Sequence, residues 1–138
     1  MINLSSAAQA PVSIDALKGK TKLNDMEAYS QSKLAITMWS RSLAAMHKDS
    51  GPTIIAVNPG SMLASKMVQQ GFGVSGNDIN IGVKVLVRMA LEEGLDVYSG
   101  QYYDNDRGQF SSPHPDGMDV QKSKDIIKVM EAISHAIK

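Results

Sequence analysis

Apolar positions along the chain form short runs that alternate with longer segments of helical periodicity. The runs are rich in β-branched or aromatic residues, as buried parallel strands are. They occupy residues 2–4, 53–58 and 100–104. The longer segments, at residues 26–48, at residues 77–93 and after Asp116 or Asp119, predict amphipathic helices. Strands that alternate with helices predict an α/β fold, in which right-handed crossovers join the strands of a parallel sheet.

The helix predicted at residues 26–48 has more than one apolar face, and Asp25 is its predicted N-cap. One stripe consists of Ser32, Ala35, Ile36, Trp39, Leu43 and Met46, and a second consists of Leu34, Met38 and Ala45. A helix with two apolar faces packs on two sides. We expect one side to contact the sheet. The pattern leaves open whether the other side is buried in the same domain or against a second subunit.

The other predicted helices each carry a single apolar stripe, and polar loops connect the elements. The two stripes are Ile81, Val85, Leu86 and Met89, and Ile126, Met130, Ile133 and Ile137. Residues 7–25 contain Pro11, Gly19 and several charged side chains, which predicts a surface loop. Residues 61–76 predict a second loop, with one helical turn near residues 65–70.

Charge and cysteine content narrow the classes of function. The 138 residues include 14 Lys and Arg, 14 Asp and Glu, and no Cys. A balanced charge gives no indication of a nucleic-acid or membrane partner, and the absence of Cys excludes disulfides and thiolate catalysis. The first residues are too polar for a signal peptide, and no apolar run reaches the length of about 18 residues that spans a bilayer. We therefore expect a cytoplasmic protein.

Two segments carry the candidate chemistry. Ser6 follows the first strand, and Tyr29 and Lys33 lie four residues apart at the start of a helix, on one face. A free tyrosine has a pKa of about 10, and a neighbouring ammonium favours the phenolate. Such a tyrosine is suited to act as general acid or base toward a carbonyl or alcohol oxygen, which the serine hydroxyl can orient.

These motifs, followed by Asn58-Pro59-Gly60 after the next strand, resemble the short-chain dehydrogenase/reductase family. The resemblance covers nearly the whole chain. It implies a partial Rossmann-like fold, made of the C-terminal strands and helices of a doubly wound parallel sheet. Residues 1–138 would then form one truncated domain, the catalytic half. The 23 positions from Ser6 to Tyr29 (29 minus 6) resemble the retinol-dehydrogenase-like branch.

The resemblance also implies a role for each site residue. Ser6 would orient the substrate, Tyr29 would be the acid/base, and Lys33 would stabilise the phenolate and hold the nicotinamide ribose. The residues implied to contact NAD or NADP are Tyr29, Lys33, Pro59, Gly60, Ser61, Met62 and Ser65. The family's glycine-rich dinucleotide loop has no counterpart in the sequence.

Three other patterns match known sites only superficially. The letters from Gly71 to Gly76 fit G-x-G-x-x-G, but no predicted strand precedes them, which favours a flexible loop. Residues 104–108 lack the spacing and the distal glutamate of a calcium loop, so we expect a turn after the last strand. His47, His114 and His135 are scattered and match no metal-binding pattern.

Two functions from different classes remain open. The first is an NAD(P)-dependent oxidoreductase that acts on a small-molecule carbonyl or alcohol. The second is a non-catalytic remnant that folds as an oligomer without binding cofactor. Because the first predicted strand would have an open edge, we expect a homodimer or a higher homo-oligomer in either case.

Overall fold

The computed structural model describes residues 1–137; Lys138, the last residue of the predicted domain, lies outside the described residues. The elements in chain order are β1 (Ile2–Leu4), α1 (Ile14–Leu17), α2 (Asp25–Met46), β2 (Ile55–Asn58), α3 (Lys66–Phe72), α4 (Asn80–Leu91), β3 (Tyr102–Asp104), β4 (Gln109–Ser111) and α5 (Val120–Ala136). Two 3₁₀ helices, Leu95–Tyr98 and Pro115–Met118, precede β3 and α5.

The strands form one sheet in the order β1-β2-β3-β4. The first three are parallel, with Asn3 opposite Ala56 and Ala56 opposite Tyr102. This confirms the predicted α/β class and a partial Rossmann-like sheet. The strand predicted at residues 100–104 is not the last one, because β4 returns antiparallel to it. The turn between them is real, but β4 shows little hydrophobic pattern because polar Gln109 and Ser111 flank Phe110.

Helices cover both faces of the sheet. On one face, Val85 and Met89 of α4 pack against Ile55, Val57 and Tyr103. On the other face, α2 lies over β1 and β2, and its Leu34 and Met38 form a second core with Ile126 of α5. Successive parallel strands advance in one direction while α2 and α4 lie on opposite faces. The two crossovers therefore have opposite hands, and the expectation that both are right-handed is wrong.

Helix α2, which positions the predicted catalytic side chains, begins one residue earlier than expected. Its N-cap is Asn24, not Asp25. The Asn24 side chain accepts a hydrogen bond from the Glu27 amide at 2.9 Å, and the Glu27 carboxylate accepts one from the Asn24 amide at 3.0 Å. This reciprocal capping box satisfies amides that the first helical turn leaves free. The helix ends at Met46, two residues before the predicted Lys48.

Only part of each predicted stripe on α2 is buried. Leu34 and Met38 are fully buried as expected, whereas Ala45 is exposed. The other stripe contains one buried residue, Ala35, and its members Ile36, Trp39 and Leu43 are partly exposed. Ser32 and Met46, at the ends of that stripe, are exposed. This half-covered face leaves room for a further contact.

Local hydrogen bonds correct several other boundaries. Ser13 caps α1 inside the predicted loop 7–25, and Ser65 caps α3, which is longer than the single turn expected. Helix α4 begins three residues later than predicted, and Asp119, one of the two predicted caps, caps α5. Ile81 and Ile137, both predicted on buried stripes, are 46% and 80% exposed.

Among the helices of residues 1–137, none has both the length and the hydrophobicity needed to cross a bilayer.

Candidate active site

Tyr29 and Lys33 lie in the first turns of α2, beside the carboxyl end of β1. The Lys33 ammonium donates a hydrogen bond to the Leu4 carbonyl at 3.0 Å, and its Nζ lies 5.4 Å from the centroid of the Tyr29 ring. Both side chains are partly exposed. The structure thus brings a lysine ammonium, a tyrosine and the end of a parallel strand to one place, at the edge where such sheets bind ligands.

The two serines after β1 have different environments. Ser5 is 3% exposed, and its hydroxyl pairs with Thr37 Oγ1 at 2.7 Å inside the α2 packing. Ser6 is partly exposed, and its Oγ accepts a hydrogen bond from the Ala8 amide at 3.1 Å. The Ser6 hydroxyl hydrogen therefore remains able to point toward a ligand. This difference supports Ser6, rather than Ser5, as the substrate-orienting residue.

Two residues that the sequence did not indicate hold the backbone of Ser6. Its carbonyl accepts hydrogen bonds from Gln9 Nε2 at 2.8 Å and from the Tyr102 hydroxyl at 3.2 Å. Burial raises the pKa of Tyr102, and the nearby carboxylates of Asp104 and Asp106 raise it further. The Tyr102 phenol consequently stays protonated and remains a donor across the neutral range. Tyr102 and Ser6 are 96 positions apart, so no local pattern relates them.

The predicted Asn58-Pro59-Gly60 turn follows β2 at the same end of the sheet. Asn58 is 2% exposed, its side-chain amide donates to Asp104 at 2.9 Å and Asp106 at 2.8 Å, and its Oδ1 accepts from the Gly60 amide at 3.2 Å. Gly60 has φ of +133°, a conformation that a residue with a Cβ rarely adopts. The turn therefore depends on the hydrogen bonds of the buried Asn58 side chain and on a glycine at position 60.

Ser61, Met62 and Ser65 follow Gly60 along the same loop. The Ser61 amide and hydroxyl both donate to Asp106, at 2.8 Å and 2.5 Å. The Ser65 hydroxyl oxygen accepts from the Val68 amide at 3.3 Å and so caps α3. Because these groups already have intramolecular partners, the cofactor contacts suggested for Ser61 and Ser65 stay predictions.

The same loop is joined to the segment before α4. The Ala64 amide donates to the Asn77 carbonyl at 2.8 Å, and the Asn77 amide donates to the Met62 carbonyl at 2.6 Å. Gly71 lies within α3 and Gly73 ends it in a left-handed conformation, so a helix, not a strand, precedes the G-x-G-x-x-G letters. This agrees with the interpretation that they are not a dinucleotide fingerprint.

Burial and hydrogen bonding act in opposite directions on Asp106. Burial alone would raise its pKa, but hydrogen bonds from the Ser61 hydroxyl, the Ser61 amide and the Asn58 amide outweigh burial and lower it. Asp106 is therefore an anion, and its carboxylate accepts hydrogen bonds from Asn58 and Ser61. We call residues 58 to 61 the 58–61 turn.

No other feature of residues 1–137 competes as an active site. Within that range, no group of three or more His, Asp or Glu side chains is placed to hold a metal ion. A cavity of about 780 Å³ lies toward the other end of α2, lined by residues that include Arg41, Lys48 and Ser99. Its lining includes none of Ser6, Tyr29 and Lys33.

Comparison with known proteins identifies the family. No protein-family model matches the chain. The chain is 32% identical to retinol dehydrogenase 12 of Bos taurus over 124 residues, which cover 82% of the chain and 39% of that protein. It is 27% identical to retinol dehydrogenase 13 of Homo sapiens over 141 residues, which cover 88% and 42%. The chain thus spans about two fifths of the length of these curated relatives. Together with the fold and the Tyr29–Lys33 pair, these similarities show that the chain belongs to the short-chain dehydrogenase/reductase family, as a partial, retinol-dehydrogenase-like member.

Proposed function

We propose that the chain forms the catalytic part of an NAD(P)-dependent oxidoreductase that interconverts a carbonyl compound and an alcohol. The observation that carries the proposal is the position of Lys33, whose ammonium is tied to the end of β1 and lies 5.4 Å from the Tyr29 ring centroid. This geometry puts a cationic side chain next to a partly exposed phenol, the group proposed to exchange a proton with the substrate oxygen.

Each residue has one task in this proposal. The Tyr29 hydroxyl gives its proton to the carbonyl oxygen during reduction and takes the alcohol proton during oxidation. Lys33 stabilises the phenolate that remains after proton donation. The Ser6 hydroxyl donates a hydrogen bond to the same substrate oxygen, since its own oxygen is already engaged by the Ala8 amide. The nicotinamide cofactor, when bound, supplies or accepts the hydride.

The residues present fit the nicotinamide end of such a cofactor. Lys33 offers a charged donor. At the same end of the sheet, Gly60 of the 58–61 turn has no side chain that would block a ligand from the backbone. Within residues 1–137, no glycine-rich loop joins a strand to a helix in the way that holds a pyrophosphate. The proposal therefore places the catalytic and nicotinamide contacts in this chain and makes no assignment for the rest of the cofactor.

The substrate class is proposed from the relatives. Their names describe dehydrogenation of retinol, an apolar alcohol. We propose an apolar alcohol or aldehyde of that kind, and all-trans-retinal is the first substrate to assay.

The assay measures retinal reduction with NADPH and with NADH by the wild-type protein and by Tyr29→Phe. Loss of the acid/base should lower kcat by about 10²–10⁴-fold. Tyr98→Phe is the matched control, because Tyr98 stacks on Phe110 of β4 and has no task in the proposed mechanism. Equal turnover by wild type and Tyr29→Phe would show that the proposed mechanism is wrong.

We also propose that the chain forms a homodimer or a higher homo-oligomer, whether or not it is catalytic. Within residues 1–137 the outer edge of β1 pairs with no strand, and Ile36 and Trp39 of α2 are partly exposed. A second copy would cover both surfaces, and the zero formal charge creates no net repulsion between copies. Light scattering at micromolar concentration should show an oligomer, and a monomer would contradict the proposal. The cytoplasmic location stays a prediction, to be tested by cell fractionation.

A further inference from the structure

Residues 104 to 106, at the end of β3 and the start of the turn to β4, contact the 58–61 turn. We call these three residues the acidic turn. The Asn58 amide group donates to both carboxylates of the acidic turn, at 2.9 Å and 2.8 Å. Asn105 donates through its backbone amide to the Asn58 carbonyl at 3.1 Å and through its side chain to the Pro59 carbonyl at 2.8 Å. Asp106 accepts both donors of Ser61.

We propose that the acidic turn is a clamp that holds the 58–61 turn in position to contact the cofactor, and that Asp106 is its main positioning residue. The inference rests on the proposed function, since it assigns a purpose to the turn beside the nicotinamide. It adds residues to which that function gives no role, because neither the reaction nor the family motifs of the sequence involve the acidic turn.

The backbone conformation shows why a clamp is needed. Gly60 has φ of +133°, and Met62, which is not a glycine, has φ of +54°. Glycine adopts a positive φ without strain, but at Met62 this conformation is unfavourable and persists only where surrounding contacts hold it. Asp106 bonds to the residue between these two positions, so it acts at the point where the chain would otherwise relax.

The contacts also exclude the alternative of a cation site for these carboxylates. Asp104 accepts from the Asn58 side chain and from the Asp106 amide at 3.1 Å, and Asp106 accepts from Ser61 and Asn58. Three of their four oxygens accept hydrogen bonds from protein donors, and the fourth, Asp104 Oδ2, lies 3.7 Å from the Arg107 guanidinium. Within residues 1–137 no third acidic or histidine side chain completes a metal-binding group.

The first test needs no cofactor. Asp106→Asn keeps the size of the side chain but removes the negative charge. It also replaces one acceptor oxygen by an NH₂ group, which cannot accept the hydrogen bonds that Asn58 and Ser61 donate. Asp125→Asn is the control, because it removes the same charge from α5, where Asp125 accepts a hydrogen bond from Gln121. Amide exchange followed by NMR should be at least about tenfold faster at Ser61 in Asp106→Asn, the equivalent of one lost charged hydrogen bond. The Tyr103 amide should be unchanged, and Asp125→Asn should match wild type throughout. Unchanged exchange at Ser61 would overturn the clamp.

The second test is the dissociation constant for NADPH, read by nicotinamide fluorescence. Removing a negative charge near an anionic ligand should tighten binding by simple electrostatics, whereas loss of the clamp should weaken it. We expect Asp106→Asn to weaken binding about tenfold while Asp125→Asn leaves it unchanged, and tighter or equal binding by Asp106→Asn would overturn the positioning role. If wild type binds no NADPH, the proposed function and the positioning role both fail, and the exchange result alone decides whether the clamp exists.

Discussion

Replacing Gly76 by alanine tests whether the loop after β2 is fixed to the segment before α4. Gly76 has φ of +77°, and a Cβ built on it would lie 2.8 Å from the Met62 carbonyl oxygen and 2.9 Å from backbone atoms of Ala64. Gly73→Ala is the matched control, because Gly73 has a similar φ of +65° and a Cβ there would meet nothing within 4 Å.

The two substitutions share one energetic cost and differ in another. An alanine in the left-handed region costs roughly 1–2 kcal/mol, which both variants pay. At Gly76 the contact is with backbone, so the loop must also move away from Asn77. That movement breaks the Asn77–Met62 and Ala64–Asn77 hydrogen bonds, each worth about 0.5–1.5 kcal/mol. Gly76→Ala should therefore be less stable than Gly73→Ala by about 1–3 kcal/mol.

Urea unfolding followed by circular dichroism measures the difference. With an m-value of about 2 kcal/mol/M, the midpoint of Gly76→Ala should lie about 0.5–1.5 M below that of Gly73→Ala. Amide exchange at Ala64 and Asn77 should accelerate only in Gly76→Ala, which also detects a loop that detaches without global unfolding. Equal midpoints together with equal exchange at those two amides would refute the reasoning.

Three further substitutions or conditions give distinct expectations. Tyr102→Phe removes a donor to the Ser6 carbonyl and should lower kcat several-fold. Tyr103→Phe should not, because the Tyr103 hydroxyl accepts a hydrogen bond from Arg88 on the opposite face of the sheet; steady-state kinetics of both variants decide this. Leu34→Ala leaves a cavity at a fully buried site between α2 and α5, and should lower the free energy of unfolding measured in urea by about 2–5 kcal/mol. A decrease below about 1 kcal/mol would contradict that packing. Because hydrogen bonds lower the pKa of Asp106 in spite of burial, its contribution is complete above the unfolded pKa of about 4 and is lost as pH falls through the folded value. Acid unfolding of Asp106→Asn should lack that part of the pH dependence, and identical acid profiles would contradict the assignment.

Periodicity was sufficient to predict the elements that bury a continuous apolar surface. Strand β2 is fully buried, and the stripe Leu34–Met38 is fixed by the core it fills, so their sequences carry an unambiguous pattern. Strand β4 carries no such pattern, because none of its three residues is fully buried and it pairs with β3 only after the turn has reversed the chain. Its formation depends on the antiparallel pairing with β3, which a short polar sequence does not specify.

The candidate site was predictable where its residues lie close in sequence. Tyr29 and Lys33 share a helix face by spacing alone, and Pro59-Gly60 marks a turn after a strand. The contacts that support them join distant positions. Asn58 and Asp104 are 46 positions apart, and their contact follows from the parallel register of β2 and β3. A single sequence gives neither that register nor the strand order, so Asp106 was interpreted only as part of a turn.

Titration of the wild-type protein and Lys33→Met with NADPH and NADH, followed by nicotinamide fluorescence, is the most direct test of the central claim. The account predicts saturable binding of one cofactor in the micromolar range by wild type, and a loss of affinity in Lys33→Met, because Lys33 is the charged donor proposed to hold the nicotinamide ribose. Absence of binding by wild type at millimolar cofactor would contradict the claim. Ser6, Tyr29 and Lys33 would then be an inherited arrangement without catalytic use in this chain.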